Sequence, residues 1–374
     1  METGDLNSLG ERPPLVIAMA LEAFREELMA SAAAIACPGK GLLAADESTG
    51  TIGKRFAAIA LDNTEDHRRA YRTLLATAGG LEQFISGVIL YEETLFQDTD
   101  DGTPILELFR RVGVVPGIKV DQGVQPLAGG LAGETWCTGL SGLQQRAARY
   151  YARGARFAKW RAVLRITAEG APSELAVREN AWGLARYART VQEEGLVPIV
   201  EPEILMDGDH PIETTALVQE RVLRQVYAAL AENGVLLEGT LLKPSMTTAG
   251  AAHGGEQTPQ QVGEATVRTL RRSVPASVPG ILFLSGGLGE EEASVYLDAI
   301  NRAADRQAPW NLGFSFGRAL QHSCLQQWGG HDRAAGQGAL LARAQANSEA
   351  SLGAYRAGSQ PSNDESLFVA GYVY

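Results

Sequence analysis

The chain is poor in the residues that hold metals and disulfides. Its five histidines, His67, His210, His253, His322 and His331, show no H-x-x-H spacing, so no metal site is predicted. Cys37, Cys137 and Cys324 are odd in number, widely spaced and in no C-x-x-C pair, which excludes a disulfide framework and fits a reducing compartment. Positive charge is in deficit. A formal net charge of −11 argues against nucleic acid or an anionic membrane as a partner, because phosphate affinity comes from clustered Lys and Arg. No apolar run approaches the roughly 20 residues of a membrane span. Neither G-x-x-x-x-G-K-[ST] nor G-x-G-x-x-G occurs, so nucleotide binding is not indicated and no cofactor is expected. The first residues carry Glu2, Asp5 and Glu11 and lack the basic flank of a secretory signal. The expected location is the cytoplasm, with the plastid stroma as the alternative if a transit peptide has been trimmed.

What is present is a large apolar core in a regular alternation. Of 374 residues 45% are hydrophobic, enough for one barrel-sized domain or two smaller ones. An amphipathic helix over 17–36 is followed by eight short apolar runs: 41–46, 87–91, 114–120, 156–161, 196–203, a run ending at Lys243, 280–287 and 312–318. Helical patterns separate them. Asn63 or Thr64 caps one helix, Pro172-Ser173 opens another that Gly195 closes, and Thr258-Pro-Gln-Gln261 has the form of a capping box. Eight buried strands alternating with helices predict a parallel (β/α)₈ barrel, with a doubly wound open sheet as the runner-up. Residues 1–352 are expected to form this barrel with its N-terminal helical extension. Residues 353–374, rich in Gly, Ser, Gln, Pro and Asn up to Glu365, are expected to form a mobile tail whose apolar end can dock.

The strand ends carry the chemistry. Lys243 is stopped at once by Pro244, which turns the chain out of the strand and can place the amine at a pocket mouth; the plain alternative is a solvated lysine closing a strand. Other ends carry Asp46, Glu92, Lys119, Lys159 with Arg161, Glu201 with Glu203, Ser285 and Arg318. A lysine nucleophile must shed its proton near neutral pH. A second cation ~4 Å away repels it by ~4 kcal/mol at an effective dielectric of ~20, and Lys159 is the candidate neighbour. Asp46, Glu201 and Glu203 could then move protons around an imine, although ion pairs closing the barrel mouth would read the same way. Ser285-Gly286-Gly287 and Ser315-Phe-Gly317-Arg318 follow the seventh and eighth strands, where barrels commonly bind phosphate. Lys119, Arg55 and Ser48 could hold a second phosphate across the barrel.

Leu-Ala-Ala-Asp-Glu-Ser-Thr (43–49), Gly-Ile-Lys-Val-Asp (117–121), Phe-Ala-Lys-Trp-Arg (157–161), Val-Pro-Ile-Val-Glu-Pro-Glu-Ile-Leu (197–205), Leu-Leu-Lys-Pro (241–244), Phe-Leu-Ser-Gly-Gly (283–287) and Phe-Ser-Phe-Gly-Arg-Ala-Leu-Gln (314–321) together resemble class I fructose-1,6-bisphosphate aldolase over nearly the whole chain. The resemblance implies that Lys243 forms a Schiff base with the substrate ketone, tuned by Lys159. It also implies that Glu201 exchanges protons as the carbinolamine becomes the imine, that Asp46 assists cleavage between carbons 3 and 4, and that Glu203 orders the amine. Ser285, Gly286 and Arg318 fall where the family binds one phosphate, and Lys119, Arg55 and Ser48 where it recognises the other. Tyr374 falls where the mobile tail ends. A homotetramer acting on a sugar phosphate is implied. The chain departs from the usual pattern at Leu288-Gly289, where Gln-Ser is common, and at Gln122, where lysine is common. A non-catalytic scaffold on the same fold is the competing reading, as is another imine-forming sugar-phosphate lyase.

Overall fold

The computed structural model describes residues 14–371 apart from Arg306 and Asp364, with side chains from Glu22 onward. The helix Pro14–Ile35 leads into a series of ten strands among these residues: β1 Gly41–Ala45, β2 Ile85–Leu90, β3 Val115–Lys119, β4 Val124–Pro126, β5 Thr135–Cys137, β6 Phe157–Leu164, β7 Val197–Ile204, β8 Leu241–Leu242, β9 Gly280–Phe283 and β10 Asn311–Phe316. Eight of them close into a parallel barrel in the order β1-β10-β9-β8-β7-β6-β3-β2. The expected (β/α)₈ barrel is thus the observed fold. The short β4 and β5 pair antiparallel outside it, in a Gly-rich stretch that offered no strand pattern. Their partly exposed residues, such as Gln125 and Trp136, lack the buried alternation that marks the barrel strands.

Capping side chains fix where the helices begin. Thr64 accepts from the His67 N–H and Ser173 from the Ala176 N–H, while Thr258 and Gln261 form the reciprocal capping box. No helix among the described residues is long and apolar enough to cross a membrane.

Two apolar clusters divide the interior. One lies between barrel and helices. The other fills the barrel floor with Leu42, Ala44, Ile89, Phe157, Val197, Ile199, Leu241 and Leu282, sealed by Leu28, Ala32 and Ile35 of the N-terminal helix. Phe157 takes its place because Gly117 faces it: a Cβ on Gly117 would stand 2.2 Å from the Phe157 ring. The barrel is therefore dry and close-packed below, and its polar chemistry is confined above.

The stretch after residue 352 makes contacts with the helices Glu290–Ala304 and Arg333–Ser351. Tyr355 donates its N–H to Asp298 at 2.9 Å and its hydroxyl to Glu291 at 2.7 Å, and the Gly358 N–H reaches Glu291 at 2.8 Å. Buried Arg343 donates to the Pro361 carbonyl at 3.2 Å, and Glu290 accepts the Asn363 N–H at 3.0 Å. Composition alone does not reveal these contacts.

Candidate active site

The two-residue period of a strand builds the site from the floor upward. Leu42 and Ala44 lead on the same face to Asp46, and Phe157 leads to Lys159 and Arg161. Likewise Val197 and Ile199 lead to Glu201 and Glu203, and Leu241 to Lys243. Each strand changes from apolar to charged on one face, so the charges converge above the floor. Lys119 at the end of β3 stands in register with Lys159.

All of these groups are buried, and each is paired. Lys159 lies 2.7 Å from Asp46 and 3.5 Å from Glu201, and Lys243 lies 3.3 Å from the other oxygen of Glu201. One carboxylate therefore spans the two lysine amines. Arg161 donates to Glu203, and Lys119 is held 2.5 Å from Asp121. Four cations thus face four carboxylates, which lets so many charges sit away from water. Burial pushes the Asp46 carboxyl up, but Lys159 and Lys243 outweigh it and hold it at about 2. Burial likewise opposes ionisation of Glu203 and Asp121, and Arg161 and Lys119 respectively overcome it, keeping both carboxyls below their usual range.

At the rim, Gly286 and Gly287 have φ of +60° and +111°, a left-handed backbone that glycine adopts without strain. They follow buried Ser285 at the end of β9. Ser315 is buried on β10, and Gly317 leads into the helix Arg318–Trp328. Arg55 lies beside this turn, since a Cβ on Gly317 would come within 3.9 Å of its guanidinium. Barrel closure explains this: β1 pairs with β10, so Ser48 and Arg55, just past β1, share a side with Arg318. Ser48 caps the helix Thr49–Ala57 through the Thr51 N–H. A cavity of about 570 Å³ opens between Arg55, Arg318, Tyr71, Leu325 and the chain near Leu367.

Comparison with known proteins shows the family. A family profile described as fructose-bisphosphate aldolase class-I matches residues 27–374. The chain is 56% identical to fructose-bisphosphate aldolase 4, cytosolic, of Arabidopsis thaliana over 352 residues, covering 93% of this chain and 89% of that protein. It is 51% identical to the chloroplastic fructose-bisphosphate aldolase of Oryza sativa subsp. japonica over 378 residues, covering 100% of this chain and 96% of that protein. Fructose-bisphosphate aldolase from Plasmodium falciparum, solved with TRAP and a small-molecule inhibitor, superposes with a TM-score of 0.87. That structure is 50% identical and spans 95% of this chain and 100% of its own. The chain belongs to the class I fructose-bisphosphate aldolases.

In this aldolase the residues that sequence reasoning passed over are second partners of the cations. Buried Glu47 holds Arg55 and also Arg72, the latter at 2.6 Å, and accepts from Gln321 at 3.0 Å. Burial pushes the Glu47 carboxyl up, and Arg55 and Arg72 overcome it and hold it low. The only sequence signal was a second carboxylate directly after Asp46. Arg318 donates to the Leu367 carbonyl, and the Gly371 N–H donates to Asp207 at 2.5 Å. The departures fit locally: Leu288 is buried in the core, Gln122 is exposed, and a Cβ on Gly289 would meet the Glu365 carbonyl at 3.0 Å. Tyr374 lies outside the described residues.

Proposed function

We propose that this aldolase reversibly cleaves fructose 1,6-bisphosphate to dihydroxyacetone phosphate and glyceraldehyde 3-phosphate through an imine on Lys243. The observation that carries this reading is the single Glu201 carboxylate set between the Lys243 and Lys159 amines, 3.3 and 3.5 Å away. The Lys243 nitrogen adds to the C2 ketone, and Glu201 passes a proton to the departing hydroxyl as water is lost from the carbinolamine. The protonated imine is then the electron sink. Asp46, held at about 2 and so ionised at neutral pH, takes the proton of the 4-hydroxyl. The C3–C4 bond breaks, the aldehyde leaves, and the bonding pair becomes the enamine.

Lys159 stabilises the oxygen between Asp46 and Glu201, while Arg161 fixes Glu203 beside the reacting amine. Proton return to carbon 3 is assigned to the Tyr374 phenol, after which hydrolysis frees the ketone product. Ser285, Gly286, Gly287, Ser315, Gly317 and Arg318 form one phosphate subsite. Lys119, Arg55 and Ser48 hold the other phosphate. The functional unit is a homotetramer, acting in the cytosol or the plastid stroma; the relatives include both cytosolic and chloroplastic aldolases.

The test is borohydride reduction in the presence of dihydroxyacetone phosphate, with EDTA throughout. Inactivation should accompany one adduct on Lys243, and Lys243→Met should lose both labelling and turnover. An adduct on Lys159 or Lys119, or activity that vanishes in EDTA and returns with zinc, would overturn the assignment.

A further inference from the structure

β8 is the weak stave of the barrel. It comprises Leu241 and Leu242 alone, and its register against β7 ends at the Val200–Leu242 pair. β7 continues to Ile204, so the part that carries Glu201 and Glu203 extends past the ladder. One more backbone bond follows, from the Lys243 N–H to the Val200 carbonyl at 2.8 Å. Then Pro244 interrupts, having no N–H to give. Backbone pairing thus stops at the residue whose side chain must be placed against Glu201.

Side chains take over from there. The Ser245 hydroxyl accepts the Ile204 N–H at 3.0 Å and donates to the Ile204 carbonyl at 2.9 Å. One hydroxyl therefore does what a paired backbone residue does in a ladder. Behind it, the Gln219 amide of the helix Ile212–Glu232 donates to the Ser245 carbonyl at 3.0 Å and accepts from the Thr247 hydroxyl at 2.6 Å. The Thr247 N–H in turn reaches the Thr266 hydroxyl at 3.0 Å. Ser245, Gln219, Thr247 and Thr266 are all buried, so no water competes for these bonds.

We infer that Ser245 is a positioning residue for the Lys243 amine, a hydrogen-bond staple that locks the carboxylate-bearing end of β7 to the lysine loop. The inference rests on Lys243 being the reacting amine. Without the hydroxyl, both backbone groups of Ile204 lose these bonds, and the seam is left without them between Val200 and the Met206 carbonyl, which accepts the Ala251 N–H at 2.7 Å. The Lys243–Glu201 spacing of 3.3 Å then drifts. Displacement of a reacting group by about 1 Å costs on the order of a hundredfold in rate, so the effect falls on imine formation.

The experiment compares Ser245→Ala with Ser245→Thr and Ser245→Asn, both of which keep a donor and an acceptor. It measures the rate of borohydride-trapped adduct formation on Lys243 with dihydroxyacetone phosphate, kcat and KM for the bisphosphate, and Tm. Well below its Tm, Ser245→Ala should trap and turn over about tenfold to a hundredfold more slowly, with KM nearly unchanged, and a folded rescue variant should recover the rate. Trapping by Ser245→Ala at the unsubstituted rate would reduce the staple to a structural detail. Rescue variants that melt normally yet stay slow would also overturn it. If the unsubstituted protein labels elsewhere than Lys243, the premise falls together with the staple; if it labels Lys243 and Ser245→Ala does so equally fast, only the staple falls.

Discussion

Replacing Asp46 by asparagine separates charge from shape. The carboxyl is buried and held at about 2 against an ordinary value of 3.8, so its ionised form favours the folded state. One unit corresponds to ~1.4 kcal/mol, which makes the depression worth ~2 kcal/mol at neutral pH. The folded value lies below the unfolded one. This stabilisation is therefore complete above about pH 5 and disappears as pH falls through about 2. Asp46→Asn should be less stable than the unsubstituted protein by ~2 kcal/mol at pH 7, and the gap should shrink as pH approaches 3. Lys159 keeps Glu201 at 3.5 Å in the variant, so its charge is not abandoned. Urea midpoints at several pH values and one fixed protein concentration measure the gap, the concentration being held because an oligomer's stability depends on it. In the same variant, cleavage should fall by about 10²–10⁴ while borohydride trapping at Lys243 persists, since the role proposed for the lost group is to accept the 4-hydroxyl proton and not to form the imine. A stability gap that stays constant from pH 7 to 3, or loss of trapping together with cleavage, would refute the reasoning.

Two further perturbations test the rim and the floor. Arg318→Ala should raise KM for the bisphosphate about tenfold to a hundredfold, because a charge-assisted hydrogen bond is worth ~1.5–3 kcal/mol. The adduct on Lys243 should still form at saturating ligand, and an unchanged KM would remove Arg318 from the phosphate subsite. Gly117→Ala should destabilise the barrel by ~1–3 kcal/mol, since the new methyl would stand 2.2 Å from the Phe157 ring. Thermal unfolding checks this, and Gly117→Ala combined with Phe157→Leu should recover part of the loss.

How much of this was legible in the sequence depended on the range of the interaction. Local rules located the strands and the caps, because periodicity, Ser173 and Thr258 act within a few residues. Position at strand ends gathered Lys159, Glu201 and Lys243 at one rim, so the centre could be anticipated, and the period of two explains why they face inward. Closure could not. Which rim cations share a side depends on β1 meeting β10, and the Glu47–Gln321 bond joins residues 274 apart. The contacts made after residue 352 were out of reach for a similar reason: Glu290 and Arg343 are charged residues, and nothing in the local pattern says that both are fully buried. The β4–β5 hairpin was missed because three-residue strands with mixed exposure carry too little pattern.

The shift from apolar floor to charged centre along one face of β1, β6, β7 and β8 also bears on how the barrel assembles. A strand that paired one residue out of step would turn its whole inward set toward the helices. For β6 and β7 that would drive Lys159, Arg161, Glu201 and Glu203 into the apolar layer, away from their partners, and would leave Phe157, Val197 and Ile199 outside the floor. Burying an uncompensated charge is so unfavourable that such arrangements are excluded before they can persist. These buried charges therefore also penalise misaligned strands, and neutralising several at once should slow refolding through misaligned barrels.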